Sequence, residues 1–175
     1  MRACRSVCWV PEGCGGAVVH ALKYGGWLKV AEPMGAKMAR TDWPADVIAE
    51  RTALIPVPLA RARQRERGYN QSELLARVIA RSWSVPVWAG VLQRQRKTKT
   101  QTRLTPGERL ANVAGAFTVV AGSEAKLRGA HLVLVDDVIT TASTLNACAG
   151  VLYDHGARII SYVTFGRARS TSDAV

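Results

Sequence analysis

Two adjacent carboxylates, Asp136 and Asp137, stand before a run of hydroxyl residues, Thr140, Thr141, Ser143 and Thr144, broken only by Ala142. Carboxylates accept hydrogen bonds from hydroxyl groups. Hydroxyls and backbone N–H groups at the start of a helix bind anions. The unbroken apolar run Leu132 to Val135 just before the acids reads as a central strand of a parallel sheet, covered on both faces. Open α/β sheets bind ligands at the carboxyl ends of such strands. Acids beside an anion cradle suit a molecule with both hydroxyls and a phosphate, such as a ribose 5-phosphate. A Walker B strand also ends in acids, but it needs a GxxxxGK[ST] partner, and the chain has none.

Strands and helices alternate around this segment. Ala17 to Tyr24 has helical spacing and is ended by Gly25-Gly26, and a second helical stretch spans about Leu28 to Arg40, interrupted at Pro33. Ala53 to Pro58 is a short strand. Asn70 to Trp83 is an amphipathic helix with Leu74, Leu75, Val78, Ile79 and Trp83 on one side, and Asn70 with Glu73 is a helix-start signature. Strands are expected at Val85 to Leu92, Ala116 to Ala121, Leu132 to Val135 and Arg158 to Phe165, with a helix over Leu145 to His155. Thr105, Pro106 and Glu108 read as the start of one more helix. This alternation predicts an α/β fold with a parallel sheet core flanked by helices. The polar tail 169–175 is expected to be disordered.

The chain has 175 residues, enough for one compact domain with a small appendage, and 48% of them are hydrophobic, which argues against disorder. No stretch reaches the ~18 apolar residues of a membrane helix, and no secretory signal is expected. A cytoplasmic protein without membrane insertion is expected. The four cysteines, at 4, 8, 14 and 148, are expected to be free thiols, because their spacing makes no paired zinc framework. No structural zinc is expected. The net charge is +11, and part of it is gathered in two clusters: Arg61, Arg63, Arg65 and Arg67, then Arg94, Arg96, Lys97, Lys99 and Arg103. Such clusters fit a polyanion, either pyrophosphate or nucleic acid, or else a solvated basic face.

Val133 to Thr144 resembles the phosphoribosyl-pyrophosphate (PRPP) motif of type I phosphoribosyltransferases. Ile55-Pro56-Val57-Pro58-Leu59, the arginines after it and Arg67-Gly68-Tyr69-Asn70-Gln71 resemble the ComF branch of that superfamily, which is associated with DNA uptake in natural competence. Two further matches are His20 to Gly26 and the stretch from Thr98-Lys99-Thr100-Gln101 to Phe117. Together they span about residues 17 to 166.

The resemblance implies the type I phosphoribosyltransferase fold with a flexible hood loop. It implies an N-terminal helical flank at 1–50 and a phosphoribosyltransferase domain at 51–168. Asp136 and Asp137 would hold the ribose hydroxyls and, indirectly, Mg2+, while Thr140, Thr141, Ala142, Ser143 and Thr144 wrap the 5-phosphate. Leu59, Ala60, Arg61 and Arg63 would face the pyrophosphate. The segment from Arg94 to Leu104 would be the hood, with Lys97 and Arg103 as catalytic cations. Arg67, Asn70 and Gln71 are further candidates, with Asn70 read equally as a helix cap. Tyr69 reads as packing, and Lys23 and His20 as residues on a helix flank. Ala142 stands where the family usually has Gly. If that position needs a left-handed backbone, Ala costs roughly 1–2 kcal/mol. Full-length relatives often begin with a four-cysteine zinc ribbon; its absence here implies a naturally short form or a misassigned start.

The implied activity is Mg-dependent transfer of a phosphoribosyl group from PRPP to a nitrogenous acceptor. Thr140 stands where purine-salvage relatives carry an acid, which points away from hypoxanthine-type acceptors. Two alternatives stay open: a PRPP- or nucleotide-binding module without catalysis, and a single-stranded-DNA-binding accessory of the competence machinery. Against the latter, the cluster at 94–103 has no aromatic residue for stacking. Competence proteins as partners and a homodimer are implied by analogy only.

Overall fold

The computed structural model describes residues 1–10, 13–95 and 115–168. A four-stranded, all-parallel sheet forms its centre, in the order β1-β6-β5-β2. The strands are β1 (Cys4–Val10), β2 (Arg51–Pro56), β5 (His131–Ile139) and β6 (Ile159–Ala168). A two-stranded antiparallel ribbon, β3 (Leu92–Arg94) with β4 (Phe117–Val119), stands apart from it.

Side-chain alternation along the strands divides the core in two. Val133 and Val135 of β5 face a layer of α1 (Gly15–Tyr24), α2 (Ala31–Ala39) and α5 (Gln71–Trp83), where Leu22, Met34, Met38, Leu75 and Ile79 are fully or almost fully buried. Leu132 and Leu134 face the opposite layer, built from the β3–β4 ribbon and α7 (Ser143–Asp154), with Leu145, Cys148 and Leu152 packed on them. Helices α2 and α5 touch closely at Gly35. A Cβ there would lie 2.5 Å from Val78 Cβ, so no larger residue fits without moving the helices. Three short helices complete the described chain: α3 (Ala45–Glu50), α4 (Arg61–Arg67) and α6 (Glu124–Leu127).

The α/β architecture with a parallel sheet is as the alternation of elements predicts. Several details differ, each for a physical reason. The first fifty residues, expected to be a helical flank, also supply edge strand β1, paired in parallel with β6. Pro33 does not interrupt a helix. It lies in the first turn of α2, where a missing N–H costs no intrahelical bond, and the break comes earlier, at the 3-10 turn Leu28–Val30. The expected strand Val85 to Leu92 reduces to one parallel bridge, Val87 with Leu54, before β3. Pro86 has no N–H to donate, so only its carbonyl joins the ladder, accepting from Leu54 N. Helix α4 forms over Arg61–Arg67, where no helix is expected from the sequence. Glu73 does not close a capping box with Asn70; it pairs with Arg77 at 2.6 Å, one turn on.

Candidate ligand cleft at the end of the central strand

Strand β2 stops at Pro56, opposite Val135, while β5 continues to Ile139. From Asp136 onward β5 therefore has a strand neighbour on its β6 side alone, and a cleft of about 320 Å³ opens there. Asp136, Thr140, Thr141, Ala142, Ser143 and Thr144 all line it. The structure thus gathers the whole expected phosphate loop and one of the two acids in one opening.

The loop ends on Ala142, the N-cap of α7, at φ 58°, ψ 2°. That is the left-handed region, so the position does require the backbone that glycine adopts freely. Ala142 offers no side-chain cap, and the first turn of α7 contains no acidic residue. The N–H groups of that turn are therefore left for an anion, with the positive end of the helix dipole behind them. Thr141 Oγ1 and Ser143 Oγ are hydrogen-bonded to each other at 2.8 Å across the loop.

The two acids do not point the same way. Asp136 lies on the cleft side, part-exposed, and its Oδ1 accepts from Ser72 Oγ at 2.8 Å and from Asp137 N at 2.9 Å. Burial of its carboxyl, and then the charge of Asp137, push its pKa up from the ordinary aspartate value, while Ser72 and Lys23 act against the shift. Asp137 is 3% exposed. Its Oδ1 accepts from Val138 N at 3.0 Å, and Lys23 Nζ of α1 lies 2.6 Å from its Oδ2. In the sequence Lys23 reads only as a residue on a helix flank, within the segment His20 to Gly26 that carries part of the resemblance.

The basic residues expected around the site lie on different elements. Leu59 and Ala60 lead into α4, which carries Arg61 and Arg63 on an exposed surface. Arg94 ends β3 and lies 5.4 Å over the Phe117 ring. Burial lowers its pKa first, and the charge of Arg63 adds to this, while Cys148 and Asp136 act in the opposite sense. The long reach of charge thus links Arg63, Arg94 and Asp136 in one neighbourhood. Lys97 and Arg103, with the rest of the expected hood and the expected helix start at 105–108, lie outside the described residues, as does the tail 169–175.

Asn70 serves as a helix cap and as a tie to the neighbouring strand. Its Oδ1 accepts from Ser72 N at 3.0 Å, and its Nδ2 donates to the Val57 carbonyl just beyond β2 at 3.1 Å. Arg67 Nη1 donates to Gln71 Oε1 at 3.0 Å, and Gln71 is buried. Cys4, Cys8, Cys14 and Cys148 are free thiols. Among the described residues no three His, Cys, Asp or Glu side chains gather to hold a metal ion, and no helix is long and apolar enough to cross a membrane.

Comparison with known proteins agrees with this geometry. The family model described as "Phosphoribosyl transferase domain" matches residues 66–174. Competence protein F of Haemophilus influenzae is 39% identical over 116 residues, covering 66% of this chain and 50% of that protein. The DNA utilization protein YhgH of Salmonella typhi is 34% identical over 151 residues, 82% of this chain and 63% of its own length. The chain therefore spans about half to five-eighths of these relatives. Among solved structures, glutamine PRPP amidotransferase from B. subtilis superposes with a TM-score of 0.53 at 17% identity, covering 82% of this chain and 30% of that one, a likeness of fold. The family model covers more than half of the chain, and the chain with its parallel sheet thus belongs to the phosphoribosyl transferase domain family, on the branch of the competence protein F relatives.

Proposed function

We propose that the chain binds PRPP with Mg2+ in the cleft at the end of β5 and transfers the phosphoribosyl group to a nitrogenous acceptor. The observation that carries this reading is the uncapped first turn of α7, turned toward the same opening as Asp136. The 5-phosphate sits on the N–H groups and hydroxyls of residues 140–144. The ribose hydroxyls meet the acidic end of β5. Arg61, Arg63 and Arg94 offset charge on the pyrophosphate as it leaves C1, and the acceptor nitrogen forms the new bond at that carbon. Preorganised charge of this kind supplies a large share of catalysis.

The donor set fits Mg2+ held mainly by the substrate. Asp136 offers hard oxygen at the cleft, and no all-protein cage of carboxylates is needed for this ion. Bound there with PRPP, the metal would neutralise charge on the diphosphate. Relatives named for competence and for DNA utilization support a role in the handling of incoming DNA.

Titration calorimetry with Mg-PRPP tests the binding step, and pyrophosphate release across a panel of nitrogen bases tests transfer. Micromolar uptake with pyrophosphate release upholds the enzyme. Uptake without release leaves a PRPP-binding module, and no uptake sinks both.

A second reading, single-stranded DNA binding, has one specific observation in its favour. Tyr24 is 66% exposed, its ring lies 4.9 Å from that of His20, and the Arg67 guanidinium lies 5.0 Å over it. Exposed rings beside cations are what base stacking on a single strand uses. Salt-sensitive binding of oligodeoxythymidine that is lost in Tyr24→Ala would establish it, and unaltered binding would remove it.

A further inference from the structure

The segment Arg67 to Ser72 grips the rest of the molecule at four points. Arg67 lies over the Tyr24 ring, and the Tyr69 hydroxyl donates to the Leu22 carbonyl. Asn70 holds the Val57 carbonyl, and Ser72 holds Asp136. Leu22 and Tyr24 are the two residues on either side of Lys23. Gripping both fixes the last turn of α1, from which Lys23 reaches Asp137.

Asp137 needs that partner. Its side chain is buried, one oxygen takes a single backbone N–H, and the other has Lys23 as its charge partner without an aligned hydrogen bond. A buried carboxylate without compensation is costly, so removing the ammonium favours turning it outward to water. An uncompensated negative charge next to Asp136, at the edge of the cleft, repels a phosphate-rich ligand whichever way it turns.

We propose that Lys23 is a positioning residue of the PRPP site: it holds Asp137 on the far face of β5 and leaves Asp136 as the carboxylate that meets the ribose. This rests on the PRPP-binding reading above. It also gives the two motif segments, His20 to Gly26 and Arg67 to Gln71, one shared task, which is to aim Lys23.

The test is Mg-PRPP affinity, by calorimetry, in the wild type, Lys23→Met, Lys23→Arg and the double variant Lys23→Met/Asp137→Asn. Lys23→Met is expected to weaken binding about tenfold, as coupled neighbours do. Lys23→Arg, which keeps the charge, stays within about threefold of the wild type. The double variant, with no charge left to turn outward, binds more tightly than Lys23→Met. A double variant as weak as Lys23→Met, or weaker, overturns the proposal, because Asp137 would then contact the ligand itself. Where Lys23→Met does not fold, the double variant is compared with Lys23→Arg. A loss within about threefold upholds the proposal, and a tenfold loss overturns it. A wild type that takes up no Mg-PRPP sinks the functional reading instead. The melting temperatures of the same proteins then decide the pairing, upheld by a double variant more stable than Lys23→Met and overturned by one less stable.

Discussion

The two ends of strand β5 carry buried titratable side chains, but they are built to opposite rules. At the amino end His131 is 1% exposed, its backbone N–H donates to Thr52 Oγ1 at 3.1 Å, and its Nε2 lies 3.2 Å from Ser161 Oγ. Burial lowers its pKa, which favours the neutral ring. At the carboxyl end two adjacent carboxylates face opposite sides, one raised in pKa and one tied to a lysine, and the loop beyond them holds an alanine in a left-handed backbone. The first end avoids charge. The second combines charge with a left-handed alanine, features that cluster at functional sites.

The largest effect belongs to the span that joins the two ends. Leu134 is fully buried against the α7 layer. Leu134→Ala should cost about 2–5 kcal/mol through lost burial and an unfilled cavity. For a chain of this size that lowers the melting temperature by roughly 2–4 °C per kcal/mol. Calorimetric melting checks it, and a loss under about 1 kcal/mol would show that β5 is not the mainstay of the core.

The next pair of substitutions separates the ends. His131→Ala should destabilise the fold by about 1–3 kcal/mol, since it leaves Ser161 buried without this partner. Mg-PRPP affinity should be unmoved. Asp136→Asn should do the reverse. Losing a charged partner costs about 1.5–3 kcal/mol of ligand binding, or roughly 10- to 150-fold. Denaturant melts and titration calorimetry on both variants measure the contrast. If both variants lose stability and neither loses ligand, the two ends are alike and the carboxyl end is structural.

The dependence of stability on pH sharpens the same contrast, with opposite signs. Asp136 holds its proton more firmly in the folded state than in the unfolded one, so its contribution falls as pH rises from the ordinary aspartate value through the raised one. His131 holds its proton less firmly when folded, so stability falls as pH drops below the ordinary value of 6.5. The two slopes oppose each other in the wild type. Asp136→Asn removes one, and its stability should therefore rise more steeply with pH up to about 6.5 and flatten above. Urea melts between about pH 5 and 8 report it. A slope equal to that of the wild type would mean that Asp136 is ionised at an ordinary pKa.

Much of this arrangement was legible in the sequence, because it rests on local pattern. The apolar run Leu132 to Val135 located β5, and Asn70 located the start of α5. The hydroxyl run after the acids located the loop that lines the cleft. The elements missed were those whose pattern is ambiguous. Cys4–Val10 is an edge strand with mostly half-buried side chains and no clear alternation, and Arg61–Arg67 has no buried residue to betray a helix. The division between Asp136 and Asp137 could have been read, since adjacent strand residues face opposite ways. The partner of Asp137 could not, because Lys23 meets it only through the packing of α1 on the sheet.

The smallest effect probes the strained loop itself. Ala142 adopts φ 58° in the structure, at a cost of roughly 1–2 kcal/mol for a residue with a Cβ. Ala142→Gly removes that cost but gives the unfolded chain more freedom, worth roughly 0.5–1 kcal/mol against folding. The net gain is therefore on the order of 0.5–1 kcal/mol. If the strain is present with and without ligand, the gain goes to stability, raising the melting temperature by a few degrees while Mg-PRPP affinity stays constant. If the loop reaches this backbone only when phosphate arrives, the gain goes to affinity instead, as a roughly two- to fivefold tighter Kd with an unchanged melting temperature. The structure, with the loop already in place around its cleft, favours the first outcome. A glycine variant that gained in affinity alone would mean that the carboxyl end of β5 is not preorganised, and that its contrast with the settled amino end is one of motion as well as charge.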